Sequence, residues 1–234
     1  MKKQELFDVI KGNVIVSCQA LPDEPLYVEE KSIMYLMARA AKQAGTPAIR
    51  TNSVRDVIAI KEETGLPVIG LIKANYDNSD VYITPTMKEV DQLVEANTDI
   101  VALDCTFSKR LDDTSINTFI KEIREKYPDI VLMADISTYE EGVNAYKCGV
   151  DLVGTTMNGY TEQSIDANIT NLELVSKLSK EISIPVIAEG RIHYPNQVRE
   201  MLDAGAFAVV VGGAITRPLE IAKRFIDAAK GELK

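Results

Sequence analysis

Eight short apolar runs, rich in β-branched residues, recur along the chain and restrict its fold more than any other feature. They are Val14–Val16, Ala48–Ile49, Val68–Ile72, Ile100–Leu103, Ile130–Met133, Leu152–Val153, Val186–Ala188 and Ala208–Val211, with starts about 20 to 34 residues apart. They lack strict alternation with polar residues, as strands buried on both faces do. Segments with helical spacing follow them: Ser32–Ala44, Val54–Thr64, Met87–Ala96, Ile116–Lys126, Glu140–Cys148, Leu172–Ile182, Pro195–Ala204 and Leu219–Ala229. Several joints repeat, among them Ala44-Gly45-Thr46-Pro47-Ala48, Thr64-Gly65-Leu66-Pro67-Val68 and Ala204-Gly205-Ala206-Phe207. A glycine just past a helix takes the left-handed conformation that stops it, and the chain turns into the next strand. Units of this number and length predict a closed (β/α)8 barrel, a TIM barrel, rather than an open sheet. No linker, low-complexity tract or composition break divides the 234 residues, which predicts one barrel domain over 1–234. One joint departs from the pattern: Asn75–Pro85 is long for a βα loop and holds a candidate short strand at Val81–Ile83.

Charge and cysteine usage narrow the partners. The chain has 26 basic and 35 acidic residues, a formal charge of −9, and no basic run, which speaks against nucleic acid or an anionic membrane. No apolar stretch approaches the roughly 18 residues of a membrane span. The polar opening Met1-Lys2-Lys3-Gln4-Glu5 predicts no signal peptide. Cys18, Cys105 and Cys148 are odd in number and lack CxxC spacing, so they read as reduced thiols of a cytoplasmic protein. One histidine, His193, rules out a three-histidine zinc site within the chain.

In a barrel, chemistry is expected of polar side chains at the C-terminal ends of strands. That rule selects Ser17 and Gln19, Arg50 and Asn52, Lys73, Asp104 and Thr106, Asp135, Thr155-Thr156, Glu189 and Arg191, and Gly212-Gly213. Lys73 follows an apolar strand, so a barrel mouth would desolvate it. It suits a proton carrier, a Schiff-base former or an anion clamp, against the plainer reading of a solvated loop residue. Glu189 either meets substrate or pairs with Arg191 or Arg50. Asp135 either orients Lys73, binds a hydroxyl or pairs with Arg50, and Asp104 equally suits a loop cap. Arg50 and Arg217 are anion ligands or salt-bridge partners. Gly212-Gly213, just before Ala214-Ile215-Thr216, would bare backbone N–H groups at the start of a short helix, a setting for phosphate. His193, before Tyr194-Pro195, reads as a helix-entry residue, and Tyr76, Tyr82 and Tyr160 as lid candidates. Met34, Leu36 and Met37 fit either the core or the face of a homodimer.

Taken together, these stretches resemble the N-acetylmannosamine-6-phosphate 2-epimerase family of bacterial sialic-acid catabolism. The likeness rests on SCQA (Ser17–Ala20), AIRTN (Ala48–Asn52), GLIKANYDNSDVYITPT (Gly70–Thr86), ALDCT (Ala102–Thr106), MADIST (Met133–Thr138), GTTMNGYT (Gly154–Thr161), IAEGRI (Ile187–Ile192) and VVGGAITRP (Val210–Pro218). It runs nearly the whole chain in order. One departure is Ala74-Asn75 after the lysine, where some members carry a charged pair. The resemblance implies a TIM barrel that interconverts N-acetylmannosamine 6-phosphate and N-acetylglucosamine 6-phosphate without metal or organic cofactor. By those motifs Lys73 is the proton carrier and Glu189 its acidic partner. Gln19, Arg50, Asp135 and Arg217 contact the substrate, and backbone around Gly190 and Gly212-Gly213 holds its phosphate. Another phosphosugar epimerase barrel, or a barrel that binds a phosphosugar without turning it over, is the alternative.

Overall fold

The structure, a computed structural model, describes residues 2–30, 32–164 and 171–232. Its centre is a closed ring of parallel strands in sequence order: β1 (Val14–Cys18), β2 (Ile49–Asn52), β3 (Val68–Leu71), β4 (Ile100–Asp104), β5 (Val131–Asp135), β6 (Leu152–Gly154), β7 (Val186–Glu189) and β8 (Ala208–Val211). Pairing of Val14 with Val209 and of Val16 with Val211 joins the first strand to the last. This is the expected (β/α)8 barrel.

Successive strand residues face opposite ways, and the apolar runs serve both faces. Ile15, Ala48, Ile69, Leu71, Ile100, Ala102, Met133, Leu152, Ile187 and Val210 fill the interior. Val16, Ile49, Val68, Val101, Leu132, Val153 and Val209 meet the surrounding helices. Those helices are α2 (Met34–Gln43), α3 (Val54–Thr64), α4 (Met87–Glu95), α5 (Ile116–Lys126), α6 (Tyr139–Lys147), α7 (Leu172–Glu181), α8 (Pro195–Asp203), the short α9 (Gly213–Thr216) and α10 (Pro218–Lys230). An opening helix absent from the pattern above, α1 (Lys3–Ile10), sets Leu6, Phe7 and Ile10 into the inner core and closes the N-terminal end of the barrel.

Local chemistry fixes the helix ends. Thr86 and Thr138 form capping boxes with Glu89 and Glu141, satisfying N–H groups at the starts of α4 and α6. Gly65 ends α3 at φ 66°, a conformation that costs glycine no Cβ clash. The Met34–Met37 alternatives divide: Met34 is fully buried, Met37 packs on the core, and Leu36 is exposed.

The strand expected at Val81–Ile83 reduces to one antiparallel bridge between Lys73 and Ile83. Thr84, at φ 47°, turns the chain away and ends the pairing. The segment instead wedges between β3 and β4. Ile83 O accepts from Asp104 N (2.9 Å), and Thr84 Oγ1 donates to Ala102 O (2.7 Å).

Candidate active site

The inward row of each strand changes character near its C-terminal end. Two residues beyond Ile15, Ala48, Leu71, Ala102, Met133, Ile187 and Val210 come Ser17, Arg50, Lys73, Asp104, Asp135, Glu189 and Gly212. On β6 the same step leads from Leu152 through Gly154 to Thr156. A cavity of about 490 Å³ opens over this row, lined by Gln19, Arg50, Lys73, Thr156, Glu189, Gly190, Gly212, Gly213 and Arg217 among others. Every candidate carried by the resemblance therefore lines one cavity except Asp135, which lies beneath it at 0% exposure.

Asp135 is the counter-ion of Arg50. Arg50 Nη2 donates to Asp135 Oδ2 at 2.6 Å, and Arg50 Nε lies 3.2 Å from Glu189 Oε1. A guanidinium 1% exposed would be costly alone; two facing carboxyl groups make its burial tolerable. Of the readings open for Asp135, the pair with Arg50 is the one observed. Glu189 likewise pairs with Arg50. Burial, opposed by Arg50 and aided by Asp135, pushes the Glu189 carboxyl up to about 7.

Lys73 sits half-buried over the Tyr82 ring, its Nζ 5.8 Å from the centroid. Its backbone N–H donates to Asn52 Oδ1 at 2.8 Å, which fixes the stem at the strand end. Burial, reinforced by the Arg217 and Arg50 guanidiniums, holds its ammonium below the usual lysine range. Asp104 takes the loop-cap role: its Oδ1 accepts from Thr106 N (3.0 Å) and Thr106 Oγ1 (2.6 Å). Burial pushes its carboxyl up to about 6. Of the three tyrosines, Tyr82 and Tyr160 line the cavity, while Tyr76 donates to Glu89 at the start of α4. His193 stands at the rim before α8, its N–H on Gln197 Oε1. Among the described residues, no group of three or more His, Cys, Asp or Glu side chains is placed to hold a metal ion.

Comparison with known proteins bears on this site. Residues 34–231 match the NanE family, described as "Putative N-acetylmannosamine-6-phosphate epimerase". The chain belongs to this family. A Clostridium perfringens relative, named "Putative N-acetylmannosamine-6-phosphate 2-epimerase", is 52% identical over 225 residues, covering 96% of this chain and 100% of the relative. A relative of the same name from Caldanaerobacter subterraneus is 48% identical over 228 residues, covering 97% and 95%. The solved structure of the N-acetylmannosamine-6-phosphate 2-epimerase from Clostridium perfringens superposes with a TM-score of 0.90 at 51% identity, covering 95% of this chain and 96% of that one.

In this NanE family member two acids escaped the strand-end rule because they lie on a loop and a helix. Glu24, in the loop after β1, holds Arg217 Nε at 2.8 Å, and Glu220 of α10 holds Arg217 Nη1 at 3.2 Å. Both line the cavity. Arg110 was also missed, since Lys109-Arg110 in a polar stretch looks solvated. It is 3% exposed, donates to Asp104 O and Pro85 O at 2.8 Å, and so ties the long β3–α4 loop to β4.

Proposed function

We propose that this chain interconverts N-acetyl-D-mannosamine 6-phosphate and N-acetyl-D-glucosamine 6-phosphate by removing and returning the proton at C2 of the open-chain sugar. The observation that carries this reading is Lys73: an amine in the cavity, its proton affinity lowered by burial and two guanidiniums, beside an acid whose affinity is raised. A base at carbon must be neutral to accept a proton, and an acid must hold one to give. Ring opening supplies the carbonyl that acidifies C2. The enolate that follows needs positive charge nearby, which Arg50 or Arg217 supplies. Gln19 and Asp135 complete the sugar contacts, Asp135 through Arg50. Gly190 and Gly212-Gly213, side-chain-free at the rim, hold the 6-phosphate through backbone N–H groups.

The test is proton NMR of the protein with N-acetylmannosamine 6-phosphate in deuterated water. Conversion to the gluco epimer with deuterium at C2 is the expected result. Binding without exchange would make the chain a phosphosugar sensor and sink the proposal. The step uses neither metal nor organic cofactor; activity lost to a chelator and restored by divalent ion would overturn that part.

Three further features go with this reading. β1–β8 closure ties the two ends of the chain together, which supports one cooperative domain over 1–234; two separate unfolding transitions would refute it. Leu219, Phe225 and Ile226 of α10 are more than half exposed, which supports a homodimer, and a monomeric mass in solution would remove it. No helix among the described residues is long and apolar enough to cross a membrane, and the cysteines are free, which suits a cytoplasmic enzyme. Recovery in the membrane or secreted fraction of cells would contradict that setting.

A further inference from the structure

One hydroxyl stands between two carboxyl groups under the cavity. Thr156 Oγ1 lies 2.6 Å from Asp135 Oδ1 and 3.1 Å from Glu189 Oε2. A threonine hydroxyl has one proton to donate. The shorter contact falls in the range of an O–H donor on a charged oxygen, which assigns that proton to Asp135. Arg50 Nη2 already donates to the other Asp135 oxygen, Oδ2, at 2.6 Å. What Thr156 then turns toward Glu189 is a lone pair. Against a carboxylate that lone pair is repulsive; against a carboxylic acid it accepts a hydrogen bond.

We propose that Thr156 is a positioning residue that keeps a proton on Glu189, through a directed chain in which Glu189 donates to Thr156 and Thr156 donates to Asp135. Its role in catalysis rests on the epimerase reading; the position of the proton does not. Among the described residues, four groups face the Glu189 carboxyl: Arg50 from β2, Lys73 after β3, Asp135 from β5 and Thr156 after β6. Lys73 and Glu189 have the same number of protons as ammonium with carboxylate or as amine with acid. The second arrangement starts removal of the C2 proton by Lys73, the first starts the reverse reaction, and only the second completes the chain through Thr156. Arg50 opposes it from 3.2 Å, but the single guanidinium is already balanced by Asp135. When Glu189 gives its proton to the substrate, the Glu189 O–H bond breaks and a carboxylate remains. Thr156 keeps its one proton on Asp135, so the carboxylate left on Glu189 faces a lone pair and is driven to take a proton back.

The backbone is built around this contact. Thr155 Oγ1 donates to Glu189 O at 2.8 Å and accepts from Glu189 N at 3.0 Å, locking the end of β7 against the residue beside Thr156. Below Thr156 the inward position of β6 is Gly154. A Cβ there would collide with Met133 Cε and stand 3.3 Å from Thr156 Oγ1 and 3.4 Å from Asp135 Oδ1. Glycine leaves hydroxyl and carboxylate room to meet.

The test compares Thr156→Val, which keeps the shape, with Thr156→Ser, which returns the hydroxyl. Thr156→Val should lower kcat by about 10–100-fold, the scale of a misplaced catalytic group, with little change in KM. The alkaline limb of its kcat profile should move to lower pH, because the acid form of Glu189 has lost its acceptor. Thr156→Ser should restore rate and profile. Independently of turnover, infrared spectra at neutral pH should show the carbonyl stretch of a protonated carboxylic acid. That band should vanish in Glu189→Gln and weaken in Thr156→Val. An alkaline limb that moves to higher pH would mean that Thr156 donates to Glu189, and would overturn the proposal. So would a valine variant with parental band and profile, or a loss that serine fails to restore. If the parent does not epimerise, the proposed function falls, while the infrared band still decides where the proton sits.

Discussion

The two ends of this barrel use the same strands and the same inward row for opposite purposes. At the N-terminal end α1 sets Leu6, Phe7 and Ile10 against the interior, and Phe7 meets Phe207 edge-on with ring centroids 6.1 Å apart. At the other end, one step of two residues along each strand replaces Ala48 by Arg50, Met133 by Asp135 and Ile187 by Glu189. Strand pairing fixes which residues face inward, so the chain separates stability from chemistry by position along the strand alone. The separation is incomplete, because Arg50 and Asp135 are buried as deeply as the apolar core and must satisfy each other.

Replacement of Lys73 tests the chemical end most severely. Lys73→Met keeps an apolar stem and removes the amine. Epimerisation and C2 deuterium exchange should fall by at least the roughly 10²–10⁴-fold typical of a general base, with phosphosugar binding still measurable by calorimetry. Near-parental exchange would reduce Lys73 to an anion clamp and move the base elsewhere in the row. Its melting temperature should not drop, since the ammonium gains nothing from burial: a depressed lysine pKa costs stability at every pH below its unfolded value.

The sharpest contrast comes from the closed end. Ile10 is fully buried. Ile10→Ala should cost about 2–5 kcal/mol of unfolding free energy in urea, through lost transfer energy and the cavity left behind. Turnover per folded molecule should stay within about two-fold, the site being at the far end of the strands. A large fall in kcat without loss of stability would show that α1 acts on the mouth, and the division between the ends would fail.

How much of this was legible in the sequence follows from which interactions are local. α3 at Val54–Thr64 and α5 at Ile116–Lys126 match the helical spacing, because caps at Ser53 and Ser115 lie beside the apolar stripe they start. Strand-end placement brings Lys73, Arg50 and Glu189 to the cavity and Asp135 beneath it, since period-2 facing is a property of the strand itself. α1 went unread: Leu6, Phe7 and Ile10 sit in a polar opening segment, and only barrel closure creates the hole that they fill. Glu24 and Arg217 are far apart in sequence and meet because β1 and β8 are neighbours, a closure effect no window of residues contains. Arg110 is legible only from the two carbonyls it meets.

The smallest effect concerns the energetic cost of the charged end, read as stability against pH. Glu189 is raised to about 7 from an ordinary carboxyl value of 4.5, chiefly by burial. A raised carboxyl binds its proton more tightly folded than unfolded, so its stabilisation is complete below the unfolded value and is lost as pH rises through the folded one. Asp104 behaves the same way with a value of about 6, so its loss is largely over before that of Glu189 ends. Most of this loss falls between about pH 4.5 and 6.5; over its tail, from about pH 6.5 to 8, the parent should lose about 1 kcal/mol or a little less, and Glu189→Gln, which has no proton to release there, should show a flatter curve. The measurement is urea unfolding across that window on both proteins. Equal slopes would mean that Glu189 ionises as easily in the folded chain as in the unfolded one. The open end would then carry its second carboxylate at no cost to stability, and the contrast between the two ends would rest on side-chain polarity alone.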